Sequence, residues 1–407
     1  MKRDEPDNSL PVLEWLMRPA SWVCRAAVGG ILLVVLASVA CRAWDGGMDN
    51  AFVVRAAEAL LEGRSPYADK RFLYLPSAVL AAVPEALLPL RVLRVLVPSL
   101  IMALLLTGWG CALRIFSVPL GSRFAALGIG GLALGFVPFG NLVLLGNWTA
   151  VSAAALPLAL LLAHRSRWVA AGLVIGVAIA FKPMLVPVGL LFVFARQWRG
   201  LAVAALLPAA ASVLGALAMP NPTFFFTRTL PFLLNGQDDF ALVWDASPVA
   251  VLPRLGVPQS AAFLIAAAAA GTGVWCAWQR WRRADPGPLR FVETGSMLML
   301  AAFLVSRPSF DHYLMVVLPL LLASGAAARS APRTPWFWIA LLPQVGGFYW
   351  PYITEPPTRR AFKDLATLAV LALTVMWCCL RRQRATVVRT EQPATPEATV
   401  VAARTPF

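Results

Sequence analysis

The polar residues that interrupt long apolar runs carry most of the chemical information in this chain, and Asp49 is the first of them. It follows an apolar run in WDGGMDNAF and precedes a helical pattern, a position where a carboxylate can serve as a general base. The same position suits an N-cap, a common structural use of Asp. Asp45 is a rival acid with its own ordinary use, a solvated group at an interface. Gly46 and Gly47 permit close backbone approach beside both acids. Lys182 breaks the apolar stretch VAIAFKPML and is followed by Pro183. A lone cation at that depth either snorkels to the interface or meets an anion, for which phosphate is a natural partner. Arg228, in FFFTRTLPF, could also bind a phosphate, although an arginine among aromatics more commonly anchors an interfacial helix. Asp311 and His312, in SRPSFDHY, could assist a base or bind a ligand hydroxyl, against the bland reading of a hydrogen-bonded surface histidine. Asn147, in LLGNWTAV, could hold a ligand or a neighbouring helix; NWT matches a glycosylation sequon, but its place at the membrane weakens that reading.

One base and several cations form the equipment for group transfer from a lipid phosphate. A base takes the acceptor's proton, cations or amides stabilise the departing phosphate, and a groove holds the lipid tail. Cations covering the leaving group make a metal unnecessary in principle, and no metal or other cofactor is expected. Only His164 and His312 are available as imidazole ligands. Cys24, Cys41, Cys111, Cys276, Cys378 and Cys379 lack metal-ligand spacing and read as small packing residues.

These residues must be positioned by membrane-spanning elements. The 407 residues are 59% hydrophobic and only 14% charged, with mean hydropathy +0.71, too little charge to cover a soluble domain of this size. Net charge is +15, but the basic clusters fall in short segments between apolar runs. They include Arg165 and Arg167, Arg196 and Arg199, Arg280 to Arg283, Arg329 and Arg333, and Arg381 to Arg384. That distribution marks the cytoplasmic side of a membrane protein and argues against nucleic acid as a partner.

Candidate spans cover 26–44, 93–113, 124–140, 142–163, 168–181, 184–195, 201–218, 259–279, 290–305, 313–327, 335–349 and 362–380. The expected class is therefore all-α, a polytopic bundle of about 10–13 membrane helices with short extracytoplasmic interfacial helices. Residues 1–25 form a cytoplasmic N-terminal segment, 26–380 the membrane domain, and 385–407 a disordered cytoplasmic tail. The first span is expected to be retained rather than cleaved as a signal peptide. With both termini inside a plasma membrane, 45–92, 219–258 and 306–313 fall on the extracytoplasmic side with Asp49. Within the first loop, 51–63 has helical periodicity, with Gly63 as its stop, and a second helix begins near Pro76.

GMDNAFVVRAAEALLEGRSPY followed by FLYLPSAVLAAVPEALLPL resembles the first outer loop of glycosyltransferase family 87, membrane enzymes of the GT-C fold that use polyprenyl-phosphate sugars. GNWTAVSAAALPLALLLA and AAGLVIGVAIAFKPMLVPVGLLFVFARQWRGL are similar to its middle portion. That second stretch, with PTFFFTRTLPFLL, resembles the mycobacterial and corynebacterial alpha-(1→3)-arabinofuranosyltransferases within the family. The likeness covers roughly 45–235. It implies a decaprenyl-phosphoryl arabinose donor and an arabinan acceptor of arabinogalactan or lipoarabinomannan, with inversion to an alpha-(1→3) branch. It implies Asp49 as base, Lys182 and Arg228 as phosphate-binding cations, and Tyr67 and Tyr74 as matching aromatics of the first loop. Arg55, Asp45, Asn147, Asp311 and His312 complete the candidate substrate contacts. The chain departs from the family pattern at Met48–Asp49, where two acids are usual, at Leu75–Pro76, where a second proline is, and at Gly146–Asn147, where Gln-x-Asn is.

Three alternatives remain. A polyprenyl-phosphate-mannose mannosyltransferase would share fold and base. A lipid-linked sugar transporter would place ionisable groups at mid-bilayer, whereas these spans are nearly charge-free. A non-catalytic partner of wall polymerases would tolerate loss of Asp49. The partners expected are a lipid-linked donor, a polysaccharide or glycolipid acceptor and the bilayer; nothing in the sequence sets the oligomeric state.

Overall fold

A computed structural model describes residues 10–43, 45–234, 242–283, 287–347 and 355–381. The expected tail at 385–407, residues 1–9, and 235–241 of the second outer stretch lie outside the described residues. Among those described there are helices and two isolated bridges but no strand. Backbone groups satisfied within each helix are what a lipid environment demands.

A short α1 (Leu10–Met17) leads into α2 (Trp22–Arg42). Then come α3 (Met48–Leu61) and α4 (Pro76–Ala86), joined by a 3-10 turn at Pro66–Ala68. The bundle continues with α5 (Leu90–Ile115), α6 (Arg123–Gly135), α7 (Val137–Leu144), α8 (Thr149–His164) and α9 (Trp168–Phe181). After a 3-10 turn at Pro183–Val188 follow α10 (Gly189–Phe194) and α11 (Trp198–Leu217). A π-helical turn at Phe225–Thr229 leads to α12 (Leu230–Leu234), and α13 (Pro248–Arg254), α14 (Gln259–Arg282) and α15 (Pro288–Val305) come next. The last helices are α16 (Leu318–Ala323), α17 (Pro335–Leu341) and α18 (Pro356–Leu380).

The all-α, multi-pass class is as the hydropathy implied, but fewer apolar runs than expected form a full crossing on their own. Among the described residues six helices are long and apolar enough: α2, α5, α11, α14, α15 and α18. Helices α7 and α8 form one more only as a pair bent by 119°. The runs at 168–181 and 184–195 are shorter helices flanking a break at Pro183 and Pro187. Those at 313–327 and 335–349 are fragmented by 3-10 turns. Hydropathy registers apolar length, whereas proline, lacking an N–H, decides where that length is cut.

Burial orders the helices. The apolar window of α15 is 78% buried and forms the centre, whereas that of α2 is 6% buried, so its side chains are left for lipid. The indole of Trp109 donates to the Ala125 carbonyl at 3.0 Å and ties α5 to α6. Trp109→Phe is expected to cost about 1 kcal/mol and lower the melting temperature by a few degrees in a detergent-solubilised thermal scan.

Direction along the bundle is clear from its contacts. Arg280 pairs with Glu293 in the core, Arg283 reaches the Leu380 carbonyl, and Trp168 packs against Trp281. The basic clusters at 165–167, 280–283 and 381 therefore share one end. The opposite ends of α8, α9, α15 and α18 converge on the first loop and the cavity described next. In that loop α3, α4, Tyr67 and Phe72 make their own small core on Trp148 and Met219.

Candidate functional site

Local sequence fixes the entry of α3. Gly47 is the residue before the helix, with φ +112°, and supplies no side-chain cap. Asp49 lies in the first helical turn, so the N-cap alternative for it is not what the structure contains. Asp45 instead accepts the Gly47 N–H at 3.2 Å and shapes the turn. The Gly46–Gly47 turn interlocks with the bend between α7 and α8: the Leu145 carbonyl accepts the Asp49 N–H at 2.9 Å. At the other end of α3, Gly63 (φ +71°) terminates the helix, and the Arg64 N–H reaches back to the Ala59 carbonyl.

This interlock puts two polar side chains together. Asn147 Nδ2 donates to Asp49 Oδ2 at 2.6 Å. Its Oδ1 accepts from the Thr149 N–H and from Lys182 Nζ, each at 2.8 Å. Lys182 Nζ also donates to Thr149 Oγ1 at 2.8 Å and stands 4.8 Å from the Tyr313 ring centroid and 5.8 Å from that of Tyr74. With donors on one side of the amide, the asparagine must turn its NH₂ to the carboxylate. Next to Asp49, buried Asn50 accepts from the Trp148 indole and donates to Glu85, both at 2.9 Å. Burial raises the Glu85 pKa despite that bond.

Asp49, Asn147, Lys182, Tyr74, Asp311 and His312 all line one cavity of about 690 Å³. A second wall comes from 302–313 and the start of α18. There Asn141 Nδ2 donates to Asp311 Oδ2 at 2.5 Å, the His312 N–H to Oδ1 at 2.7 Å, and Arg360 stands 3.6 Å away. Burial pushes the Asp311 carboxyl up, but the hydrogen bond and charge of His312, with Arg360 and Asn141, outweigh it and leave the group below its ordinary range. Asp245 is raised by burial, which the backbone N–H groups of Ser309 and Ser247 only partly offset.

Four expected residues stand elsewhere, Asp45 in the turn before α3 being the first of them. Arg228 is exposed and stacked 3.9 Å over Phe224, the geometry of an anchor, and does not line the cavity. Arg55 is exposed and donates to the Ala51 carbonyl. Tyr67 is buried, its hydroxyl donating to the Tyr74 carbonyl at 2.9 Å, so it supports Tyr74 rather than facing the cavity. Sequence reasoning passed over Arg71, Asn141, Trp244, Arg307 and Arg360, all of which line the cavity.

Fold and cavity together define a multi-pass helical membrane protein with a mostly apolar chamber at one end of its bundle, into which Arg71, Lys182, Arg307 and Arg360 are set. The chain matches Glycosyltransferase family 87 over residues 72–307, more than half its length, and belongs to that family. It is similar to the alpha-(1->3)-arabinofuranosyltransferase of Mycobacterium tuberculosis, with 30% identity over 261 residues covering 63% of this chain and 59% of that protein. The protein of the same name from Corynebacterium glutamicum is 30% identical over 161 residues, covering 39% of this chain and 37% of the relative. The one from Mycolicibacterium smegmatis is 25% identical over 338 residues, covering 77% and 73%. The chain thus aligns with about 59% of the length of the Mycobacterium tuberculosis relative. No solved structure matches it. Asp49 precedes the segment matched by the family, and Asp311, His312 and Arg360 follow it.

Proposed function

We propose that the chain is a membrane glycosyltransferase that moves arabinofuranose from decaprenyl-phosphoryl arabinose to a cell-wall arabinan, forming an alpha-(1→3) branch with inversion. The observation that carries this reading is the Asp49 carboxylate, held by Asn147 on the wall of a chamber that also presents cations. Family membership and the names of the relatives support the sugar-transfer class and the pentose.

Asp49 takes the proton of an acceptor hydroxyl as that oxygen attacks the anomeric carbon. The bond from that carbon to the phosphate oxygen breaks on the far side, its electron pair leaving with the polyprenyl phosphate. Charge grows on phosphate as it departs, and cations fixed on the chamber wall stabilise that growth more than they stabilise the bound donor. The basic clusters at the other end of the bundle support a chamber on the extracytoplasmic side with both termini inside.

The test uses purified protein, radiolabelled decaprenyl-phosphoryl arabinose, a short arabinan acceptor and linkage analysis. A new alpha-(1→3) arabinofuranosyl product is expected. Parallel reactions with polyprenyl-phosphoryl mannose decide the sugar: transfer of mannose alone would replace arabinose in this reading, and transfer of neither from folded protein would end it.

A further inference from the structure

Resting on the lipid-phosphate donor proposed above, we infer that Arg307 and Arg360 hold the donor's phosphate and that Lys182 is a positioning residue, acting through Asn147 on Asp49. The hydrogen bonds of Lys182 argue for the second half. Two of its three N–H groups are committed to Asn147 Oδ1 and Thr149 Oγ1, and the ammonium also faces the Tyr313 and Tyr74 rings. An ammonium so surrounded has little left for an incoming anion. What it does control is the orientation of the asparagine amide, and through that amide the Asp49 carboxylate.

The two guanidiniums have the complementary arrangement. Arg307 and Arg360 line the same chamber and are 29% and 39% exposed, while the acids that face them are 3–5% exposed. Arg307 Nε is 4.0 Å from Asp245 Oδ2, and Arg360 is 3.6 Å from Asp311 and 4.0 Å from Asp364. These distances balance charge without spending the donors as hydrogen bonds. Arg307 Nε is buried with no hydrogen-bond partner among the described residues. Arg360 is braced flat, its guanidinium carbon 4.2 Å over the Trp244 ring. Two such groups, each held in place by buried carboxylates and each with unspent N–H groups, suit a tetrahedral oxyanion. As the glycosidic carbon–oxygen bond breaks, the electron pair and negative charge that reach the phosphate would fall on these forks.

The experiment is a binding titration of the full chain in detergent with farnesyl phosphate, which has an isoprenoid tail and a phosphate but no sugar. Farnesol, lacking the phosphate, is the control, and transfer kinetics are run alongside. Farnesyl phosphate is expected to bind more tightly than farnesol. Arg307→Gln and Arg360→Gln each should weaken it roughly tenfold or more, with Arg→Lys variants, which keep the charge facing the buried acids, recovering part of the loss. Lys182→Met should leave farnesyl phosphate affinity within about twofold of wild type while lowering kcat, the split expected of a group acting on the base rather than on the phosphate. The assignment is overturned if Lys182→Met loses phosphate affinity while folded arginine variants keep it. Absence of any preference for farnesyl phosphate over farnesol in the wild type would remove the lipid-phosphate donor itself, whereas a preference indifferent to both arginines sinks only this assignment.

Discussion

Asp49→Asn is expected to lower kcat for sugar transfer by roughly 10²- to 10⁴-fold, the range lost when a positioned general base is removed. The substitution keeps the shape of the side chain, and its remaining carbonyl oxygen can still accept from Asn147 Nδ2. The site should therefore stay assembled, and donor affinity should change little. Of the two carboxylates facing the chamber, Asp49 is the better placed to take a proton. One oxygen of Asp49 accepts from Asn147, and no hydrogen bond reaches the other among the described residues. Asp311 has both oxygens occupied, by Asn141 and by the His312 N–H, with Arg360 nearby. Asp45→Asn is the matched control, because among the described residues Asp45 braces only the Gly47 N–H. Steady-state kinetics decide the matter: near-wild-type turnover by Asp49→Asn, with the loss appearing at Asp311→Asn instead, would move the base to the second wall.

Part of this site is legible in the sequence, and the part that is not has a definite physical cause. Asp49, Asn147, Lys182 and the Asp311–His312 pair announce themselves because each interrupts or borders an apolar run, where a polar group is costly without a purpose. Their placement at one end of alternate spans follows from counting crossings. Their mutual bonds do not, because the contact between Asn147 and Lys182 depends on the 119° bend between α7 and α8 and on the break after α9. Hydropathy treats both features as continuous apolar length, which is also why it gave more spans than the six full-length helices found. The cavity arginines were missed for another reason. Arg71, Arg307 and Arg360 look like ordinary flanking cations, yet with the N-terminus inside they fall outside, against the bias that gathers Lys and Arg on the cytoplasmic side. Cations that run counter to that bias were the available signal. Arg228 and Arg55 show its limit, since the same count of crossings puts them outside too, yet among the described residues they have only local partners.

Gly47→Ala should remove activity by displacing Asp49 without touching any group that does chemistry. At φ +112° and ψ 148° the residue occupies backbone space essentially reserved for glycine, which alone costs of order 1–3 kcal/mol for a residue with a side chain. The added methyl would also stand 2.4 Å from the Leu145 carbonyl carbon and 2.5 Å from the Gly146 nitrogen, both backbone atoms. No rotamer change relieves such a contact; the α3 entry must move away from the α7–α8 bend. That bend carries Asn147, and the Leu145 carbonyl beside it accepts the Asp49 N–H, so the separation pulls the carboxylate from the amide that orients it. Loss of transfer together with a lower melting temperature is the expected result. Gly63→Ala isolates the backbone contribution: its φ is +71° but its added methyl meets nothing within 4 Å. It should cost only about 1 kcal/mol and leave turnover intact. Equal turnover and equal melting temperatures for Gly47→Ala and the wild type would mean that the interlocked turns do not hold the base in place.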